Sequence, residues 1–309
     1  MSTQVSLRGQ KILITGLTGQ VGQPLAEGLA RDNEVWGVAR FSDARKKLEL
    51  ERLGIKCMTA DITTGDFSAL PSDFDYVLNF AVARGNVSFD ADIRDGAEAV
   101  GLLMGHTRKA KAFFHCSTTG VYQHAGHKEL KETDDLGDNH RGMAKTYSIS
   151  KLAAEAVVRY AARQFNLPTV ICRLNVPYGN NGGWPYYNLL DIKAGRTIEV
   201  HPEKPALFRL IHEDDIVASV PALLGAAAVP ARILNWGGDA VVAQEEWCKY
   251  IGELVGMEPK FANADHAVAT VLPDIKEMSK LTGPLKTDWK EGIRRMIAAR
   301  HPEWLNNRA

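Results

Sequence analysis

Tyr147 and Lys151 stand four residues apart in Tyr147-Ser148-Ile149-Ser150-Lys151, a spacing that puts both side chains on one face of a helix. A phenol at its ordinary pKa of about 10 is a poor base, but a neighbouring ammonium favours the phenolate. Lys151 can supply that field while its remaining hydrogens hold a ribose. The chemistry such a pair suits is proton transfer at an oxygen while hydride moves at the attached carbon. Tyrosine and lysine at this spacing are common on helices, so their surroundings decide. Upstream, His115-Cys116-Ser117-Thr118-Thr119-Gly120-Val121-Tyr122 ends an apolar run in hydroxyls. One of them could hydrogen-bond a substrate oxygen as charge develops there. The same hydroxyls could instead satisfy turn backbone.

A second cluster opens the chain. Thr15-Gly16-Leu17-Thr18-Gly19-Gln20-Val21-Gly22 follows an apolar strand-like run and precedes a helical pattern. A pyrophosphate needs a tight turn, close backbone approach and the N–H groups of a helix start, and glycine serves the first two. The order strand, turn, helix is the context that gives a glycine triplet meaning. The run Glu34–Val38 ends in Ala39 and Arg40, with no acid to bind an adenosine ribose. Arg40 can form paired hydrogen bonds to a 2′-phosphate, so NADP(H) is expected over NAD(H). Asp61 is expected beside the adenine or as a helix cap.

These residues must be positioned by a sheet. Lys11–Thr15, Glu34–Val38, Lys56–Thr59, Tyr76–Phe80, Ala112–Ser117 and Thr169–Leu174 read as buried strands. Val21–Arg31, Asp90–Arg108 and Thr146–Asn166 read as intervening helices. Such alternation predicts right-handed crossovers and a parallel sheet covered on both faces. After Leu174 the pattern loosens. Asn175–Pro185 reads as a loop lining a pocket, and Leu189–Gly195, Asp214–Gly225, Gln244–Gly256 and Asp288–Arg300 read as helices. Thr197–Val200 and Arg232–Trp236 read as strands. The expected division is a dinucleotide-binding domain over 1–174, with 211–238 returning to it, and a substrate-binding region over 175–210 and 239–309.

The chain has 309 residues, 45% of them hydrophobic, enough for a sizeable core, and 37 basic residues balance 37 acidic ones. That balance argues against nucleic acid and polybasic membrane contacts and favours a small-molecule partner. Four scattered cysteines, a polar N-terminus and the lack of a membrane-length apolar run predict a cytoplasmic protein. His124, His127 and His140 with Asp134 and Asp135 could suggest zinc, but the stretch is polar and loop-like, so no metal is expected. His115 and His212 read as strand-end histidines with a satisfied hydrogen bond.

In this order the motifs resemble the extended short-chain dehydrogenase/reductases, the NAD-dependent epimerase/dehydratase family. TGLTGQVG resembles its TGxxGxxG turn and YSISK its YxxSK signature. STTGVY resembles the segment carrying its active-site hydroxyl, here Thr118. RLNVPYG and LIHEDD resemble two further stretches. The resemblance implies an α/β Rossmann-like doubly wound parallel sheet with a smaller, partly discontinuous C-terminal region. It implies Tyr147 as acid/base, Lys151 as the group that orients ribose and lowers the tyrosine pKa, and Thr118 as the holder of the substrate oxygen. Cofactor contacts are expected from Gly16, Thr18, Gly19, Gln20, Val21, Arg40, Asp61, Ile62, Ala81, Ser117, Lys151 and Pro177. Substrate contacts are expected from Thr119, Asn175, Trp184 and Phe208. A homodimer through paired helices is also implied.

Two departures narrow the reading. The family's 4,6-dehydratases carry Asp-Glu where this chain has Thr119-Gly120. Its nucleotide-sugar enzymes place an arginine where this chain has Phe208, with Arg209 one residue late and on the other strand face. Trp184, Tyr186, Tyr187 and Phe208 suit a more apolar substrate. The first reading is therefore an NADP(H)-dependent reductase of a carbonyl/alcohol substrate. The alternative is a sugar or nucleotide-sugar epimerase that retains its cofactor. An alternative of another class is a non-catalytic NADP(H)-sensing regulatory protein.

Overall fold

The computed structural model describes residues 5–82 and 88–306. Its framework is a run of apolar strands: β1 (Lys11–Thr15), β2 (Glu34–Ala39), β3 (Lys56–Thr59), β4 (Tyr76–Asn79), β5 (Ala112–Thr118), β6 (Thr169–Leu174) and β7 (Arg232–Trp236). Among the described residues these seven form one sheet in the order β7-β6-β5-β4-β1-β2-β3, every neighbouring pair parallel. The order reverses between β1 and β4. Two crossovers leave in opposite directions there, and a crevice opens beyond the strand ends.

The helices are α1 (Gly22–Leu29), α2 (Ala44–Arg52), α3 (Phe89–Ile93), α4 (Ala99–His106), α5 (Tyr147–Gln164), α6 (Trp184–Lys193), α7 (Glu213–Leu224), α8 (Gln244–Val255), α9 (Lys276–Thr282) and α10 (Trp289–Arg300). Between α3 and α4, Arg94–Glu98 widens to i→i+5 winding. The predicted helix Asp90–Arg108 is thus real but internally loosened. Strand periodicity divides the core: Ile12, Ile14, Phe114, Val170 and Cys172 pack on one face with Leu25, Ile216 and Val220. Leu13, Val77, Phe113 and Ile171 pack on the other with Leu103, Val158 and Ala161.

A separate core joins Tyr178, Leu189, Phe208, Trp247, Ile251, Ile293 and Met296. Over it, Leu210–His212 pairs with Val176–Gly179, and Thr197–Val200 pairs with Lys260–Asn263. The strand Lys260–Asn263 and helix α9 carry no signal strong enough to be read from sequence. No helix among the described residues is long and apolar enough to cross a membrane.

Candidate active site

The glycine turn closes tightly: the Gly19 amide donates to the Gly16 carbonyl at 2.9 Å. Gly16 sits at φ +67°, and a Cβ there would lie 2.6 Å from the Phe80 carbonyl oxygen. A Cβ on Gly22 would lie 2.5 Å from the Gly16 carbonyl oxygen. Both positions therefore demand glycine. Helix α1 then begins at Gly22 with no side-chain cap from Val21, so the helix start beside the turn suits an anion. This cradle fits the pyrophosphate of a dinucleotide.

Two adjoining cavities share the turn. The first, about 320 Å³, brings together Gly16, Thr18, Gly19, Arg40, Asp61, Ile62 and Ala81, with Asp92 and Asp95, which sequence reasoning missed. Asp61 caps the short helix Ile62–Thr64, accepting from the Thr63 amide at 3.0 Å and from its hydroxyl at 2.8 Å. The Thr63 backbone bond holds its carboxyl below the usual range, and the nearby Arg40 charge adds to this. Asp61 is thus a helix cap that also lines this cavity.

The second cavity, about 240 Å³, brings together Gln20, Val21, Ser117, Thr118, Tyr147, Lys151, Asn175 and Pro177. Tyr147 and Lys151 come from the first turn of α5. That start is pinned to α3, where the Thr146 hydroxyl bonds the Asp92 carboxyl and Ser150 Oγ donates to the Asp92 carbonyl at 2.6 Å. Lys151 Nζ donates to the Cys116 carbonyl at 2.9 Å, and burial pulls its pKa down. Thr118 hydrogen-bonds Tyr147 and accepts from the Gly120 amide at 3.1 Å. Burial nevertheless pushes the Tyr147 phenol up to about 12. The Thr118 bond opposes this rise.

Neighbouring groups have other tasks. Ser117 Oγ donates to Glu155 Oε1 at 2.5 Å, so its hydroxyl faces the buried Glu155–Arg173 pair. His115 Nδ1 lies 3.0 Å from Asn79 Nδ2, which makes it the acceptor, while Nε2 has no partner among the described residues. Burial drives its pKa well down, so the ring is neutral. His212 caps α7 by accepting from the Asp214 amide at 3.1 Å. His124 pairs with Glu203 and His127 with the Pro205 carbonyl.

A third cavity, about 160 Å³, gathers Thr119, Asn175, Trp184 and Phe208 together with Gln20, Pro177 and His140. Phe208 is buried and packs edge-on to Trp184 at 5.0 Å. Arg209 does not line this space. Its guanidinium donates to the carbonyls of Pro273 and Asp239 at 2.9 and 2.8 Å and to Glu129 at 3.0 Å. Sequence reasoning missed His140 as a lining residue of this cavity, because nothing in a polar loop seven residues before Tyr147 reveals that the chain folds back over Gly120.

The profile of the NAD dependent epimerase/dehydratase family matches residues 12–237. The Bacillus subtilis protein YtcB, described as an uncharacterized UDP-glucose epimerase, is 24% identical over 254 residues, spanning 74% of this chain and 77% of YtcB. MoeE5 in complex with UDP-glucose and NAD superposes with a TM-score of 0.80 at 19% identity, over 95% of this chain and 99% of MoeE5. The UDP-glucuronic acid 4-epimerase of Bacillus cereus, in complex with UDP-glucuronic acid and NAD, gives 0.79 at 19% identity, over 94% and 98%.

Proposed function

This chain belongs to the NAD dependent epimerase/dehydratase family, and we propose that it is a redox-neutral epimerase, oxidising and re-reducing one secondary alcohol of a nucleotide-linked sugar. The observation that carries the chemistry is the convergence of Thr118, Tyr147 and Lys151 on the cavity that the glycine turn also lines. The substrate class is supported by the UDP-sugar relatives, which favour it over the reductase expected from sequence.

Gly16, Gly19 and the start of α1 would hold the dinucleotide pyrophosphate, Asp61 and Ile62 its adenosine end, and Lys151 its ribose. Once bound, that cofactor supplies the acceptor and donor of hydride. Tyr147 takes the proton from the substrate hydroxyl and returns it, while Thr118 holds the same oxygen in place. The carbon loses its hydride and stereochemistry in one half of the cycle and regains hydride from the other face in the second. The solved relatives above hold NAD. An NADP(H) preference is supported by exposed Arg40 and by the lack of an acid where β2 ends, and a comparison of the two affinities with those of Arg40→Ala tests it.

The test of function is incubation of purified protein with UDP-glucose and no added dinucleotide. The expected result is conversion to an equilibrium mixture with UDP-galactose and no net change in nicotinamide absorbance. Tyr147→Phe should lose about 10²–10⁴-fold in turnover while binding dinucleotide normally. NADPH oxidation on simple carbonyls, with UDP-sugars untouched, would overturn the epimerase reading. That outcome would favour the reductase, a reading supported by the Trp184–Phe208 wall and by the engagement of Arg209 elsewhere. A homodimer is part of the proposal, supported by Leu102 on α4 and Tyr160 on α5, which are 53% and 66% exposed on two helices packed together.

A further inference from the structure

The third cavity has an apolar side made by Trp184, Phe208 and Val271 and a polar side made by Gln20, Thr119, His140 and Asn175. Most of the polar side is already engaged. Asn175 Nδ2 donates to Thr119 Oγ1 at 2.7 Å, and Asn175 Oδ1 accepts from the Arg209 amide at 2.7 Å. Gln20 Nε2 donates to the Pro177 carbonyl at 2.7 Å. His140 is different. Among the described residues neither of its ring nitrogens makes a hydrogen bond, and Nδ1 is fully enclosed. The preceding residues share this state: both Asp138 carboxyl oxygens and Asn139 Nδ2 are buried without partners. Unpaired buried polar groups are costly and uncommon in a finished interior.

The ring is held where it is by packing. It lies 5.8 Å from the Tyr147 ring, centre to centre. A Cβ on Gly120 would come within 2.6 Å of His140 Nδ1, so glycine at 120 is what makes room for the imidazole. Ser148 Oγ donates to the Gly120 carbonyl at 2.8 Å, and the Asn139 amide donates to it at 3.3 Å. The histidine is thus fixed beside the proton-transfer tyrosine and has hydrogen-bonding capacity to offer.

We propose that His140 is a specificity-determining residue, whose imidazole hydrogen-bonds a hydroxyl of an uncharged sugar ring seated between it and the Trp184–Phe208 wall. The inference rests on the epimerase reading and adds the substrate class: a neutral hexose rather than a hexuronate. Burial pulls the imidazole pKa down to about 4, so the ring is uncharged at neutral pH, and with Nδ1 enclosed against Gly120 it is Nε2 that is left to bond a hydroxyl, as donor or acceptor by tautomer. No arginine or lysine lines the cavity among the described residues. A carboxylate there would lose its hydration with no charge to pair it, whereas hydroxyls would meet the imidazole and the aromatic wall would cover the ring carbons.

The experiment compares UDP-glucose, UDP-glucuronate and singly deoxygenated UDP-glucose analogues on wild type, His140→Phe and His140→Gln. Dinucleotide affinity and near-UV circular dichroism serve as controls that each variant is folded. Wild type should use UDP-glucose at least about tenfold more efficiently than UDP-glucuronate, the size of effect one unmade charged contact produces. His140→Phe should raise KM for UDP-glucose about tenfold with kcat changed by less than about twofold, the signature of lost uniform binding. His140→Gln should recover part of that loss. For one deoxy analogue, His140→Phe should change nothing, because the bonded hydroxyl is already missing. Equal losses on every analogue would mark a purely structural role and overturn the proposal, as would preference for UDP-glucuronate. Absence of turnover on both sugars by protein that binds dinucleotide would overturn the epimerase reading and this inference together.

Discussion

Three histidines sit in surroundings that oppose their charging. Burial lowers the pKa of His140 and His212 to about 4 and that of His115 well below its usual value. Because the folded pKa lies below the unfolded one, near 6.5, the unfolded chain binds protons first as pH falls. Stability is therefore complete above about pH 6.5 and declines as pH drops toward 4, by at most roughly 3 kcal/mol for each of His140 and His212. The urea midpoint measured from pH 7.5 to 4.5 should fall through this window, and His140→Phe should flatten part of the slope. A flat profile down to pH 4.5 would show that these rings are far better solvated than their burial indicates.

At the scale of elements, helix α5, which carries Tyr147 and Lys151, is locked to the sheet by a buried ion pair. Glu155, one turn beyond Lys151 on α5, receives Arg173 of β6 in two hydrogen bonds of 3.0 and 2.7 Å. The arginine also lies 4.9 Å from the centre of the Tyr122 ring. Side-chain exposures of 2% and 4% mean that neither charge has water to fall back on. Such pairs add little compared with apolar packing, but breaking one strands the survivor. Glu155→Ala should cost about 3–5 kcal/mol in urea denaturation. Replacing both residues with apolar ones of similar size should cost much less. Since Ser117 Oγ also depends on Glu155, the single variant should lower kcat by disturbing the strand end beside Thr118. If Glu155→Ala unfolds at the wild-type midpoint, the lock is not structural.

At the scale of the molecule, the sheet order places the turn after β1 and the end of β5 on either side of β4, so their cavities meet. We propose the division in which 1–174 and 211–238 share that sheet while 175–210 and 239–309 cover the crevice. The return is physical: Ile211, Ile216 and Val220 pack in the same core as Ile12 and Ile14. The exposed faces of α4 and α5 carry the dimer proposal. Leu102→Glu should shift the mass measured by light scattering from dimer to monomer without changing the far-UV spectrum. A wild-type protein that is already monomeric at micromolar concentration would remove the proposal.

The order of elements was legible because each depends on nearby residues. Strands Lys11–Thr15, Lys56–Thr59, Thr169–Leu174, Thr197–Val200 and Arg232–Trp236 begin and end where their apolar runs do. The glycine turn was legible too, since φ +67° at Gly16 and close approach to Phe80 admit no other residue. The pairing of Tyr147 with Lys151 needed only helical spacing. What sequence could not decide depends on residues far apart in the chain meeting in space. Burial dominates the Tyr147 phenol. Arg209 turned out to be engaged by Pro273, Asp239 and Glu129. His140 reaches the Trp184–Phe208 cavity only because a polar loop folds back over a glycine twenty residues earlier, a contact fixed by tertiary packing and invisible to any local pattern.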